Sequence, residues 1–553
     1  MNANCSALDN PRPSGSLGVE PGLLLMVLYC TCAGAALGTF TGLAPGIHVN
    51  TLALIMLISY QTIAGLMGTA CGTFGIGLGH VPMLVCCIII SASVVHSFVD
   101  FIPSVFLGAP DEDTVLSVLP GHRLLLSGKG LEAVTCAAKG SLAGAALAII
   151  LTFPMFVLMS DPFDLYARFE PLIPGVLIIV MLLLVMAEPD DRRTTISIDA
   201  RRGSVSRLEH IGVPMLVPHD GEPVRAWGRL ERTSRRRFVL HSAQGEWTVL
   251  ARAGTLAGRA QVTGVWRVRR NRSRNKLTAL ALLLSSGLLG FVALNGKLPL
   301  TGVWDGVDGN MLFPLLTGLF GLPTLLLSGS SGQIPEQCSD VSQDLETRAA
   351  IGGALAGGFV GWVPGVTSTT GTMIGSIANP ERDDEEGAAR RFITMVSSVG
   401  TAAAVFGIIA LAVTGKGRTG ALLVVKQMLG TEGVGALSSA TSADTVTLLM
   451  SVFAAALLGY LITIRLGRRF AIEVGDLELD KLSKIIVVSL VLLVLLMSGI
   501  PGMLLLLSAT LLGLVPPRIG TNRVHLTGCL LVPITLFFFG LDVPFASFLG
   551  GLP

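Results

Sequence analysis

Residues 34–51 read GAALGTFTGLAPGIHVNT, and residues 353–370 read GALAGGFVGWVPGVTSTT. At a constant offset of 319 residues, Gly34, Gly38, Phe40, Gly42, Pro45, Gly46 and Thr51 meet Gly353, Gly357, Phe359, Gly361, Pro364, Gly365 and Thr370. Each copy predicts an apolar helix with glycine at every fourth residue, so that one face admits a second backbone at close range. A Pro-Gly break follows, then a short hydroxyl- and amide-rich run before hydrophobicity resumes. Proline ends a helix because it lacks an N–H and clashes with the preceding turn. At membrane depth such a break survives only where protein or a water-filled cavity satisfies its polar groups.

Working outward, the composition is that of a polytopic membrane protein: 51% of residues are hydrophobic, 14% are charged, and mean hydropathy is +0.70. Segments of about 20 apolar residues recur along the chain, each long enough to cross a bilayer as a helix. Charge is concentrated in one place. Residues Glu188 to Lys276 hold 19 Lys and Arg against 9 Asp and Glu, which leaves 20 basic and 28 acidic residues elsewhere. Nine cysteines lie mostly inside apolar segments and none forms a C-x-x-C pair, so they read as small, buried, reduced side chains.

The expected fold class is an all-α polytopic membrane protein of ten to twelve spans in two structural repeats, with broken or re-entrant helices and a small OB-like β-barrel insertion. Residues 1–20 read as a disordered tail without the basic n-region of a signal peptide. Residues 21–187 read as the first transmembrane repeat, and 276–553 as the second repeat with additional spans. Residues 96–125 are too polar and too broken to cross cleanly, which suggests a re-entrant or interfacial hairpin. The first half then has five crossings, an odd number that favours inverted repeats.

Between the repeats, residues 188–275 begin with a disordered-looking lead. VRAWGRLER, RFVLHS, GEWTVLAR and AQVTGVWRVRR then alternate with period two, the pattern of half-buried strands. An SH3-like barrel would look similar to the OB-like one. The many arginines predict a cytoplasmic insertion. Trp227, Phe238, Trp247 and Trp266 among them invite a nucleic-acid reading. Alternating aromatics more often form a barrel core, so nucleic acid is not expected as a partner, and contact with anionic lipid or a regulatory role is favoured.

The breaks are the candidate site. A helix N-terminus carries free N–H groups and the positive end of a dipole, which attract anions. Two such ends, one from each repeat, predict a site for a small organic anion near the bilayer midplane, most simply a carboxylate. The expected substrate-binding residues are Pro45, Gly46, His48, Asn50 and Thr51 from the first break, and Pro364, Gly365, Thr367, Ser368, Thr369 and Thr370 from the second. Candidates for ion coupling are His48, Asp100, Asp111, Asp113 and Asp444, with Na+ or H+ as the coupling ion. His80 and His96 sit in less distinctive contexts. Asp444 opens a span and reads first as a helix cap. No metal or organic cofactor is expected.

The paired G-x-x-x-G-x-x-P-G segments, with GLFGLPTLLLSG between them and GAPDEDTVLSVLPGHRLLLSGKGLEA after the first, resemble the TctA family, the large membrane subunit of tripartite tricarboxylate transporters. The resemblance implies a secondary active transporter of carboxylates, driven by an ion gradient in the plasma membrane. It implies as partners a small membrane subunit and an extracytoplasmic solute-binding protein, and it places the break residues at the substrate site. Association into a homo-oligomer is compatible with this. The basic insertion is not part of the family pattern. Two other readings stand beside it. One is a sensor or scaffold whose cytoplasmic domain is the active part. The other is a membrane enzyme, disfavoured because the sequence has no H-E-x-x-H, no G-x-S-x-G and no paired intramembrane carboxylates.

Overall fold

The structure is a computed structural model. It describes the helices and strands given below with their short connections. Residues 1–20, 45–48, 107–119, 122–123, 126, 161, 189–190, 199–206, 210–222, 233–236, 243–244, 251–257, 296–310, 329–334, 339–343, 364–367, 369, 373–374, 376–384, 416, 418, 438–441, 474–478, 520 and 549–553 lie outside the description. Two compact units result: residues 185–284 with 515–525 form one, and the remainder forms the other.

In the larger unit, α1 (Pro21–Leu43) leads through α2 (Val49–Ile58) and α3 (Tyr60–Thr73) to α4 (Val81–Val99) and α5 (Phe101–Phe106). After these come α6 (Gly130–Met159), α7 (Leu165–Phe169) and α8 (Ile173–Met186). Beyond the insertion, α9 (Arg272–Asn295) precedes α10 (Leu312–Leu316), a π-turn at Thr317–Gly321 and α11 (Leu322–Ser328). The second ladder helix is α12 (Thr347–Trp362), followed by α13 (Glu385–Thr414), α14 (Gly420–Ala436), α15 (Ala443–Glu473) and α16 (Leu479–Gly513). Short α18 (Gly528–Phe538) and α19 (Asp542–Phe548) close the chain, after α17 (Val515–Ile519), which belongs to the smaller unit.

The glycine ladders determine which helices touch. A Cβ on Gly34 would lie 2.8 Å from the Ser91 Cβ, one on Gly38 would fall on the backbone of Ala92, and one on Gly42 would lie 3.0 Å from the Val99 Cβ. In the second copy, a Cβ on Gly353 would lie 2.7 Å from the Met395 carbonyl, one on Gly357 2.7 Å from that of Val399, and one on Gly361 2.5 Å from the Phe406 Cβ. Residue numbers rise together in each pair, so α1 runs parallel to α4 and α12 parallel to α13. One hydrogen bond is repeated as well: Ser91 Oγ donates to the Thr31 carbonyl at 2.7 Å, and Ser398 Oγ donates to the Ala350 carbonyl at 2.7 Å. Thr31 and Ala350 are related by the same offset as the ladders. The sequence repeat is therefore a repeat of packing.

The third member of each group comes from the other half of the chain. Helix α6 follows α4 in sequence but lies along α13. Lys129 pairs with Glu386, Arg390 Nη1 lies 3.0 Å from Glu132 Oε1, and Ser141 Oγ donates to the Ser397 carbonyl at 3.4 Å. Helix α15 follows α13 but lies along α1 and α4: Ser451 Oγ is 2.8 Å from Thr31 Oγ1 and 3.5 Å from the Cys87 carbonyl, and Gly459 faces Phe98. The trios α1–α4–α15 and α12–α13–α6 run in opposite directions. At one end, Gly130 at the start of α6 meets Phe106 at the end of α5. At the other, the Val425 carbonyl of α14 lies 3.9 Å from Cys86 Sγ near the start of α4, and Leu422 of α14 meets Gly407 in the second half of α13.

The smaller unit corrects the expected fold class. Its six strands are β1 (Asp191–Ile198), β2 (Arg207–Glu209), β3 (Pro223–Arg232), β4 (Arg237–Ser242), β5 (Gly245–Leu250) and β6 (Gly258–Asn271). They pair antiparallel throughout in the closed order β1-β2-β5-β4-β3-β6. An OB-fold is a five-stranded Greek-key barrel, so the OB-like assignment does not stand. The sequence pattern marked only the last four strands. DRRTTISI and RLE fell in the lead read as disordered, although the β-branched run TTISI favours a strand. In the same unit, Glu188 Oε2 lies 2.7 Å from His525 Nε2 with both side chains fully buried, and the Asn522 N–H donates to the same carboxylate at 3.2 Å.

The span count is corrected too. Among the described residues, 8 helices are long and apolar enough to cross a membrane, or up to 10 if each of two bent pairs counts as one span. The expected ten to twelve counted short pieces, such as Leu312–Gly321, Gly420–Gly430 and Val487–Leu496, that lack the length to span. Gly499, with φ +61°, breaks α16 two residues before Pro501 and divides its apolar run.

The ladder contacts generate the first prediction. Gly38→Val drives a side chain into the α4 backbone, an overpacking expected to cost ~1–3 kcal/mol. Gly65→Ala on α3, where a Cβ meets nothing within 4 Å, is expected to be neutral. Thermal unfolding of the detergent-purified protein should separate the two variants by several degrees.

Candidate functional site

Both ladders end where proline ends the helix. The last hydrogen bonds run from the Ala44 N–H to the Phe40 carbonyl at 3.1 Å and from the Val363 N–H to the Phe359 carbonyl at 3.1 Å. Pro45, Gly46 and His48 of the first break, and Pro364, Gly365, Thr367 and Thr369 of the second, lie outside the described residues. So do Asp111 and Asp113. Thr51 has helical backbone in α2, and its side chain is likewise outside the description.

The first break leads into a new helix, α2, with Asn50 as its second residue. Asn50 does not face that helix's own terminus. Its Oδ1 accepts a hydrogen bond from the Ala421 N–H at 3.0 Å, in the first turn of α14. Thr419 Oγ1 accepts from the Leu422 N–H at 3.2 Å, so two side chains share the free donors of that one helix end. A Cβ on Gly420 would lie 3.0 Å from the Asn50 Cβ, so glycine there is what lets the amide approach. The N-terminus of α14 was missed from sequence. The run R-T-G-A-L-L, a threonine before an apolar stretch, carried the cap signal.

After the second break the chain lies back against its own ladder pair. Ser368 is 4% exposed and Thr370 fully buried. Thr372 Oγ1 donates to the Ser368 carbonyl at 2.8 Å, a helical i to i+4 bond, and a Cβ on Gly400 of α13 would stand 3.7 Å from the Ser368 hydroxyl. Gly371 packs on Val360 of α12 and Val399 of α13. Trp362, the last residue of α12, stacks at a tilt on Tyr166 with ring centroids 5.9 Å apart.

Of the ionisable candidates, Asp100 is 4% exposed and sits between α4 and α5. Its backbone N–H is bonded to the His96 carbonyl at 3.0 Å. His96 is 5% exposed, and its Nδ1 lies 3.0 Å from Thr41 Oγ1 in the last turn of α1. Asp444 is on the first turn of α15, but the cap there is Ser442, whose Oγ accepts from the Thr445 N–H at 3.2 Å. Among the described residues no group of three His, Cys, Asp or Glu side chains has the arrangement of a metal site.

The Asn50 bond is testable as structure. Asn50→Ala removes an acceptor from a helix N-terminus and is expected to cost ~1 kcal/mol, as loss of a helix cap does. Asn50→Asp keeps the acceptor and should retain wild-type stability. Denaturation midpoints of the two variants in one detergent give the comparison.

The match of a family model gives these features a common setting. The model for the tripartite tricarboxylate transporter TctA family covers residues 28–528, both ladders and both breaks included. An uncharacterized protein of Methanocaldococcus jannaschii is 35% identical over 163 residues, a match spanning 29% of this chain and 35% of that relative's length. No solved structure matches. This multi-pass membrane chain therefore belongs to the TctA family, the large membrane subunits of tripartite tricarboxylate transporters.

Proposed function

We propose that this chain is a secondary active transporter of small organic carboxylates, with its substrate held between the two Pro-Gly breaks. The observation that carries the reading is the pairing of those breaks. Each closes a glycine-ladder helix packed on a parallel partner, and the two trios that hold them run in opposite directions. Hydroxyl and amide groups of Asn50, Thr51, Ser368 and Thr370, with the residues of the breaks themselves, supply neutral donors to a carboxylate. The helix ends add the positive ends of their dipoles. Alternate access then amounts to movement of one trio against the other around the bound anion.

The same reading includes re-entrant segments at the breaks, a place in the plasma membrane, a cytoplasmic barrel unit, and work with a small membrane subunit and an extracytoplasmic solute-binding protein. A transporter needs no bond-making chemistry, so none is assigned to the site. Asp444, at the start of a helix packed along α4, is kept as a candidate for a cation.

The test is uptake of radiolabelled di- and tricarboxylates into proteoliposomes under an imposed Na+ or H+ gradient, with and without a candidate binding protein. Uptake is expected in the wild type, and a fall of at least about tenfold in the Asn50→Ala/Thr370→Ala double variant, on the order of 1.4 kcal/mol. No uptake of any organic anion would sink the reading. Uptake unchanged in the double variant would sink the site.

A further inference from the structure

The two ladders are matched so closely that a difference between them stands out. Gly42 lies against the His96 carbonyl and the Val99 Cβ, and Gly361 lies against the Ala403 carbonyl and the Phe406 Cβ. By this register His96 corresponds to Ala403 and Asp100 to Gly407, and by the ladder offset Thr41 corresponds to Val360. All three positions are polar in the first copy and apolar or bare in the second. Packing does not demand this, because the second copy packs the same backbones without those side chains. A buried ionisable group within a membrane span is costly, and a function is the usual reason it is kept.

The local geometry suits a group that gains and loses a proton. Thr41 Oγ1 donates to the Gly38 carbonyl at 3.2 Å and lies 3.0 Å from His96 Nδ1. A hydroxyl has a single proton. With that proton directed at Gly38, Thr41 accepts Nδ1–H from the imidazole. The neutral ring is then held in the Nδ1–H tautomer, and Nε2 takes up the second proton without breaking the bond. Asp100 is four residues further on, on the same helix face as His96, and is itself 4% exposed. The longer helices packed against α4 carry Glu132 and Lys139 on α6, Glu386, Arg390 and Arg391 on α13, Lys426 on α14, and Asp444, Arg465, Arg468, Arg469 and Glu473 on α15. Helices α1, α2, α3 and α5 bring no charged side chain, and the turn before α4 carries His80.

Resting on the carboxylate reading above, we infer that Thr41, His96 and Asp100 form a proton-coupling site built into the first repeat alone, so that a proton taken up by His96 crosses with the organic anion. Protonation gives the imidazolium, and release on the opposite side regenerates the neutral ring. The cluster stands at the level of the first break, since Thr41 lies in the turn that ends at Leu43. One repeat is thereby charged with the coupling ion, and the other lacks the means.

The experiment uses proteoliposomes and radiolabelled citrate in two modes: exchange of internal for external citrate without a gradient, and net accumulation driven by an inward proton gradient. Exchange needs alternate access only, whereas accumulation needs coupling. His96→Gln keeps a donor for Thr41 but cannot titrate, and is expected to retain exchange within about twofold while losing gradient-driven accumulation at least tenfold. Asp100→Asn should move the pH midpoint of accumulation, because it replaces the one ionisable neighbour on the same face of that helix. Undiminished proton-driven accumulation in His96→Gln overturns the inference. So does wild-type accumulation that follows a Na+ gradient and ignores pH. Should His96→Gln lose exchange as well, the midpoint in Asp100→Asn decides: a shifted midpoint supports the inference, and an unmoved midpoint overturns it. Wild-type protein that moves neither citrate nor any other di- or tricarboxylate in either mode removes the carboxylate reading, and this inference with it.

Discussion

Helices in a bilayer have no hydrophobic force pressing them together, so close backbone contact has to come from small residues and packing. The two glycine ladders supply that contact. Because a Cβ at Gly38, Gly353 or Gly357 would collide with the facing helix, only glycine at these positions lets α1 approach α4, and α12 approach α13, at this distance. The breaks fall where the ladders stop, the serine-to-carbonyl bonds recur at equivalent places, and the side chains of Thr41 and His96 meet because Gly42 brings their helices together.

The exchange of α6 and α15 between the trios turns two repeats into one body. Neither half of the chain completes its own trio. Each lends a helix to the other, and the loan is fastened at one end by Lys129 with Glu386 and Glu132 with Arg390, and within the helices by Ser141 and Ser451. The side chain of Glu132 is 8% exposed, so its pair with Arg390 replaces water that the carboxylate has lost.

Much of this was legible in the residues. Glycine at every fourth position and the Pro-Gly after it give periodicity, helix end and repeat together, because each has a local cause. What was not legible is non-local. A constant offset aligns elements in chain order and carries no sign of which ladder α6 or α15 will join. Asn50 reads as a donor at the start of its own helix, and only the fold brings it to the first turn of α14. Alternation marks a strand without giving its neighbours, so the barrel's strand number and order were beyond reach, and TTISI was passed over among its flanking charges. His96, like His80, sits in a less distinctive sequence context. Its interest lies in Ala403, the residue that occupies the matching place in the second copy.

The opposed direction of the two trios is the claim on which the proposed site between the breaks depends, and sided labelling tests it directly. Leu78, just before α4, and Ala388, in the first turns of α13, are both exposed. In a cysteine-free background, Leu78→Cys and Ala388→Cys are treated with a membrane-impermeant thiol reagent in right-side-out and inside-out vesicles. The account predicts that the two positions are labelled from opposite faces of the membrane. Labelling of both from the same face would contradict it.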